Sequence, residues 1–303
     1  MSYTYQVKNE IIKKGGYTTK EKIAELRGIL DVKNAIFKNH IELKLESIEL
    51  ANRVYRILKE ITELKLSVKY SISKNFGEHN VYIIGIVNQK GFKEFINLLD
   101  DFREEKIVED EEKTAGFIRG VFLATGYIKT PEKEYALDFF IDDEKVADEL
   151  YNILSGLGKK ISKTKKRNKS LVYLRNSEDI MDLLVMIGSM KEFYKYEETT
   201  MMKDLKNKTI REMNWEVANE TKALNTGLKQ IKMINYIGEK IGINNLTPVL
   251  EEVAFLRLQN PESSLQELAE MIGISKSGIR NRFRRIEEIY NELLEENGEH
   301  PKE

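Results

Sequence analysis

Two stretches of the chain read as buried helix and yet carry glycine in mid-run. Residues 116 to 128, GFIRGVFLATGYI, hold Gly120 at the centre and Gly126 near the end. Residues 24 to 36, AELRGILDVKNAI, set Gly28 among Leu26, Ile29 and Leu30 in the same way. Glycine in a helix interior costs about 1 kcal/mol relative to alanine, so the missing side chain has to serve the close approach of another backbone. The pattern predicts that the two helices pack on each other, Gly28 against Gly120, with Val32 and Ala124 one turn further on. The segments downstream of the two helices also repeat: an extended stretch (HIELKLES; YALDFFID), an amphipathic helix (IELANRVYRILKEI; EKVADELYNILSGL), two strand-like pieces and a closing helix (GFKEFINLLDDF; SEDIMDLLVMIG). This predicts a duplicated α+β domain over residues 1–190, ordered α-β-β-α-β-β-α in each half, with halves at about 1–100 and 113–190.

Beyond residue 190 the duplication stops. Apolar residues at helical spacing over 191–245 predict a helical tether, with Trp215 as a packing anchor. A helix is then begun by Pro248 and stopped by the Asn260-Pro261 pair. The stretch SSLQELAEMIGISKSGIRNRFRRIEEIYNELLE comes next. In it Ser263 or Ser264 caps a helix, with Glu267 placed for the reciprocal cap. Ala269 lets a second helix cross closely, Gly273 sits at the turn, and Ser275 or Ser277 starts a helix with Ile279, Phe283 and Ile286 facing inward. Residues 246–295 are thereby predicted to form an all-α helix-turn-helix domain.

Length and composition bound the alternatives. The chain has 303 residues with 41% apolar, enough for two domains or three small ones. It has no run of eighteen apolar residues, and its start, MSYTYQVKNE, lacks a signal-peptide pattern, so no membrane association and a cytoplasmic location are expected. The absence of cysteine excludes disulfides, thiol nucleophiles and thiolate metal sites. His40, His79 and His300 lack ligand-like spacing, and neither metal nor cofactor is expected.

The net charge is −1, so whole-chain electrostatics say nothing about nucleic acid until the charges are located. Between 275 and 286 there are five basic residues and no acid. Ser275, Lys276, Ser277, Arg280, Asn281, Arg284 and Arg285 are read as the face that contacts double-stranded DNA, Arg280 at a base edge, Arg284 and Arg285 at phosphates. A second basic run, GKKISKTKKRNK at 158 to 169, is read as a turn between two strands; Lys163, Lys165, Lys166 and Arg167 there are candidates for a secondary DNA contact. Its first-half counterpart, 65 to 75, interleaves three lysines with Tyr70 and serines. The acid-rich stretch at 100 to 113 reads as a solvated linker between the halves.

The copies LRGILDVKN (26 to 34) and IRGVFLATG (118 to 126) resemble the paired motifs of the LAGLIDADG homing-endonuclease fold. In that family the eighth letter of each copy is an acid that holds the catalytic divalent metal; here those letters are Lys33 and Thr125. Hard Mg²⁺ is held by oxygen anions, so the resemblance implies a degenerate domain without catalysis, Asp31 being a helix-end acid. The second helix of the C-terminal pair, SKSGIRNRFRRI, is similar to the recognition helix of sigma-type factors. A degenerate LAGLIDADG-like domain, a helical tether and a sigma-type helix-turn-helix, with the opening YTYQVKNEI, together resemble the WhiA family over nearly the whole chain. The resemblance implies a bacterial DNA-binding transcriptional regulator linked to sporulation, or to cell division and chromosome segregation. In that reading the LAGLIDADG-like saddle is a second surface for DNA, protein or a ligand. Two other readings compete: an active LAGLIDADG endonuclease, and a division or nucleoid protein whose saddle docks a protein partner.

Overall fold

The computed structural model describes residues 2–73, 79–102, 109–166 and 168–298. Arg167, the Lys74 end of the first basic stretch and the middle of the acid-rich linker lie outside them. The chain divides into two compact units, Met1–Asp204 and Leu205–Glu303.

In the first unit α1 (Tyr3–Lys13) precedes two copies of one motif. The first runs α2 (Thr19–Val32), β1 (Ile36–Phe37), β2 (His40–Leu45), α3 (Ile48–Ile61), β3 (Ser67–Ser73), β4 (His79–Val87) and α4 (Phe92–Asp100). The second runs α5 (Glu111–Thr125), β5 (Gly126–Ile128), β6 (Leu137–Ile141), α6 (Glu144–Gly156), β7 (Ile161–Lys166), β8 (Lys169–Leu174) and α7 (Ser177–Met186). Each copy forms an antiparallel sheet of the same order, β1-β2-β4-β3 and β5-β6-β8-β7. The expected α-β-β-α-β-β-α duplication is therefore the observed one. A single core, from Val7 to Tyr196, includes residues of α2, α5 and both sheets.

Helices α2 and α5 are the most intimately packed pair, but glycine does not face glycine. A Cβ on Gly28 would overlap the carbonyl oxygen of Phe117, one on Gly120 that of Glu25, and one on Gly116 that of Glu21. Gly28 and Gly120 each admit the backbone carbonyl three residues ahead of the partner glycine, so the two-fold relation is between Gly28–Phe117 and Gly120–Glu25. Gly126 is not the left-handed residue that a helix end suggests. Its φ is −67°, and a Cβ there would strike Phe122. The left-handed cap is instead Asn34 at φ +48°, whose N–H donates to Asp31 O while Ala35 N–H donates to Leu30 O.

Between the helices lies a buried ionic network that the apolar pattern does not reveal. Glu25 accepts from Arg53 Nε and Nη2 at 2.6 and 2.8 Å and from Arg119 Nε at 2.7 Å. The Tyr17 ring lies beneath both guanidinium groups, 3.7 Å from Arg119 and 5.0 Å from Arg53. Across the pseudo-two-fold, Arg27 pairs with Glu149 and with Asp31, donates to Phe102 O and stacks on Phe117. Arg53 and Glu149 occupy the same place in α3 and α6, so the duplicated frame holds opposite charges at equivalent positions. Asp31, the helix-end acid in the last turn of α2, is thus a partner of Arg27.

Helix α1 ties the unit to the next helix. The Glu10 carboxylate accepts from Ser189 Oγ, Lys191 N and Glu192 N, capping the start of α8 (Met190–Lys240). The expected tether is this one helix of 51 residues. Trp215 lies on it at 69% exposure, so it anchors no packing. The second unit contains the rest of α8 with α9 (Pro248–Gln259), α10 (Leu265–Met271) and α11 (Lys276–Glu296), and has its own core of Ile234, Ile237, Leu268, Ala269, Ile279, Phe283, Ile286 and their neighbours. Among the described residues no helix is long and apolar enough to cross a membrane.

Candidate nucleic-acid interface

The C-terminal pair is built by short-range signals. Ser264 caps α10 and Glu267 returns the bond to Ser264 N at 2.6 Å, a complete capping box. Gly273 supplies φ +65° at the turn, and Ile274 N–H donates to Ala269 O at 2.9 Å. Ser275 caps α11 by accepting from Gly278 N–H at 3.1 Å. Ile279, Phe283 and Ile286 are buried as the spacing predicts.

The opposite face of α11 presents Lys276, Ser277, Arg280, Asn281, Arg284 and Arg285, all exposed, beside the exposed cap Ser275. Arg285 lies 2.8 Å and Arg284 3.7 Å from Glu288, and Arg282 is drawn to Glu252 at 3.1 Å. Lys276 and Arg280 join no ion pair among the described residues. The first turn of α11 has no acid, so these cations stand at the positive end of a helix dipole with nothing to neutralise them. Such a helix start can receive a phosphate.

Arg257 completes this unit and was not legible as a special residue. It is fully buried, its Nη1 donating to Ser263 O at 2.6 Å and Asn260 O at 3.2 Å, with its guanidinium over Phe283. Burial lowers its pKa. It clamps the connection between α9 and α10 by bonding the carbonyls that no helix satisfies; an arginine inside the apolar run AFLRLQ was the available signal.

The second basic run is arranged differently from expectation. It is largely strand, not turn: Ile161–Lys166 is β7 and Lys169 opens β8. Lys163 and Lys165 point to the helix side of the sheet, pairing with Asp148 and Glu144 of α6, while Lys169 pairs with Asp142. Lys166 joins no ion pair among the described residues, and Arg167 lies outside them.

The end of the α2–α5 pair carries the two eighth letters. Lys33 is the C-cap of α2. As a whole residue it is exposed, yet the groups crowded around it lower its pKa by desolvation; Glu46 opposes that shift, Lys169 adds to it and Asp142 opposes it. Thr125 Oγ donates to Val121 O at 3.0 Å, within its own helix. Among the described residues no three of His, Cys, Asp and Glu lie close enough together to hold a metal ion.

Both units match models of one family: residues 114–206 the WhiA LAGLIDADG-like domain and residues 210–290 the WhiA C-terminal HTH domain. The "Probable cell division protein WhiA" of Clostridium botulinum strain Hall is 35% identical over 97% of this chain and 99% of its own length. The chain belongs to the WhiA family. The protein of the same description from Clostridium novyi is 33% identical over 98% of this chain and 99% of its own length. The crystal structure of full-length WhiA from Thermotoga maritima matches with a TM-score of 0.60 at 23% identity, covering 96% of this chain and 99% of that one, a likeness of fold. In WhiA terms, α10 and α11 lie in the C-terminal HTH domain, and α5 lies in the LAGLIDADG-like domain.

Proposed function

We propose that this WhiA protein is a non-enzymatic, sequence-specific transcriptional regulator, cytoplasmic and nucleoid-associated, acting in cell division and chromosome segregation or in sporulation. The observation that carries the reading is the acid-free, basic outer face at the start of α11. Lys276 and Arg280 are presented without acidic partners, Arg280 toward a base edge, with Arg284 and Arg285 near phosphates. The clostridial relatives, described as probable cell division proteins, support the biological setting.

Against an active endonuclease stands the chemistry of the helix-pair end. A lysine at one eighth letter and a hydroxyl held by its own helix at the other offer no anionic oxygens to a divalent cation, and Lys33 repels one. Plasmid incubated with repurified protein in Mg²⁺ or Mn²⁺ is expected to stay supercoiled; metal-dependent nicking lost in Asp31→Ala overturns this. The DNA-binding reading is tested by titrating wild type and Arg280→Ala, Arg284→Ala and Arg285→Ala against a mapped genomic site and a scrambled duplex at several salt concentrations. Arg280→Ala is expected to lose about 1–3 kcal/mol of discrimination. The other two are expected to weaken both duplexes equally and to reduce the salt slope by about one unit. Wild-type binding by all three mutants would remove α11 as the reader and leave Lys166 and Arg167 as candidates.

A further inference from the structure

A cavity of about 390 Å³ opens at the end of the α2–α5 pair, beside Lys33. Helix α1 contributes Tyr5, Lys8, Asn9 and Ile12, one face of that helix; Lys33 closes α2, and Leu123 and Ala124 come from the last turn of α5. The floor is apolar. Two acids also line it, but both are engaged. Glu49 accepts from Ser47 Oγ at 2.8 Å in the first turn of α3, and Glu46 acts on Lys33. Lys8 is the group left over. It is half-buried, its Nζ stands 5.6 Å from the Phe122 ring centre, and no acid acts on it. A cation held partly out of water beside a second lysine, with an aromatic ring but no anion against it, costs the fold free energy that a bound anion returns.

We propose that this cavity binds a small organic monoanion, a carboxylate with an apolar body, its charge at Lys8 and its body against Leu50, Leu123 and Ala124. The volume is at the small end of the range of ligand pockets. Glu46 and Glu49 at the lining disfavour a phosphate dianion, which selects a single charge. The burial and the neighbouring Lys33 push Lys8 down to about 8, so binding near that pH draws a proton onto the lysine.

The test uses the full chain and three probes: 4-phenylbutyrate, the neutral 4-phenylbutanol and inorganic phosphate. Calorimetric titration is expected to give saturable one-to-one binding of phenylbutyrate, about tenfold or more weaker binding of the alcohol, and no phosphate binding. At pH 8, titrations in buffers of different ionisation enthalpy are expected to show proton uptake, and Lys8→Met, confirmed folded by its melting curve, to lose both the affinity and the uptake. Lys33→Met is expected to keep saturable binding with diminished affinity. The proposal is overturned if phenylbutyrate fails to saturate, if the alcohol or phosphate binds as well, or if Lys8→Met binds like wild type. None of these outcomes bears on DNA binding by α11.

Discussion

Glu25 neutralises two arginines from different halves of the first unit, and both of its oxygens are engaged by them. Glu25→Gln leaves Arg53 buried opposite a neutral amide, a loss of about 3–5 kcal/mol for a broken buried pair; urea unfolding of wild type and mutant measures it. Lys8 contributes in the opposite sense. Its folded pKa, about 8, lies below the ordinary lysine value of 10.5, so between those values the unfolded chain binds more protons and stability rises with pH. Below about pH 8 the lysine is charged in both states and its desolvation cost is fully present. Lys8→Met is therefore expected to stabilise the protein at pH 7 and to flatten the rise between pH 8 and 10.5, which denaturation at pH 7.5 and 9.5 reads directly. These residues were partly legible: an arginine precedes the glycine in both motif copies. Which acid each arginine meets was not, because Glu25, Arg53, Glu149 and Arg119 are distant in sequence and only the helix crossing brings them together.

At the scale of the element, the glycines divide by what lies over them. A methyl at Gly28, Gly116 or Gly120 runs into opposing backbone, whereas one at Gly278 in α11 meets only Ser275 Oγ and Ile274 at ordinary distances. Gly120→Ala is expected to cost about 1–3 kcal/mol by overpacking, and Gly278→Ala to gain about 0.5–1 kcal/mol from helix propensity. Thermal melts of the two variants are expected to move in opposite directions. Close packing of the glycine helices was readable from the sequence because glycine amid apolar residues has few other uses; the register was not, since it depends on which carbonyl each glycine admits. Trp215 is the chain's one tryptophan, and at 69% exposure on α8 its emission is expected to match that of a water-exposed indole and to be quenched freely by acrylamide. A blue-shifted, protected indole would mean that this part of the helix is covered in solution.

The described residues form two cores with no residue in common, one drawn from Val7 to Tyr196 and one from Ile234 to Ile286. Calorimetry is expected to show two transitions, with Gly120→Ala lowering only the first unit's and Arg257→Met only the second's. Arg257→Met strands the carbonyls of Asn260 and Ser263, so its effect is expected to be a loss of about 1–3 kcal/mol or more.

What the sequence determined by itself is whatever acts over a turn or a repeat: the duplicated order of helices and strands, the two capped helix starts, each narrowed to a pair of serines from which the structure selects Ser264 and Ser275, the inward stripe of α11 and its basic outer face. Those features rest on periodicity and on bonds between residues three or four apart, which the linear order already contains. The tertiary structure alone decided which charges remain available. Lys163 and Lys165 looked like a polyanion surface along the chain, yet strand pairing turns them toward the acids of α6, where each meets a carboxylate. Nothing in the linear sequence singles out Lys8, yet packing of α1 across the ends of α2 and α5 places it at the wall of a cavity, where no acid acts on it. Charge is visible in a sequence; neutralisation depends on what folding brings within a few ångströms.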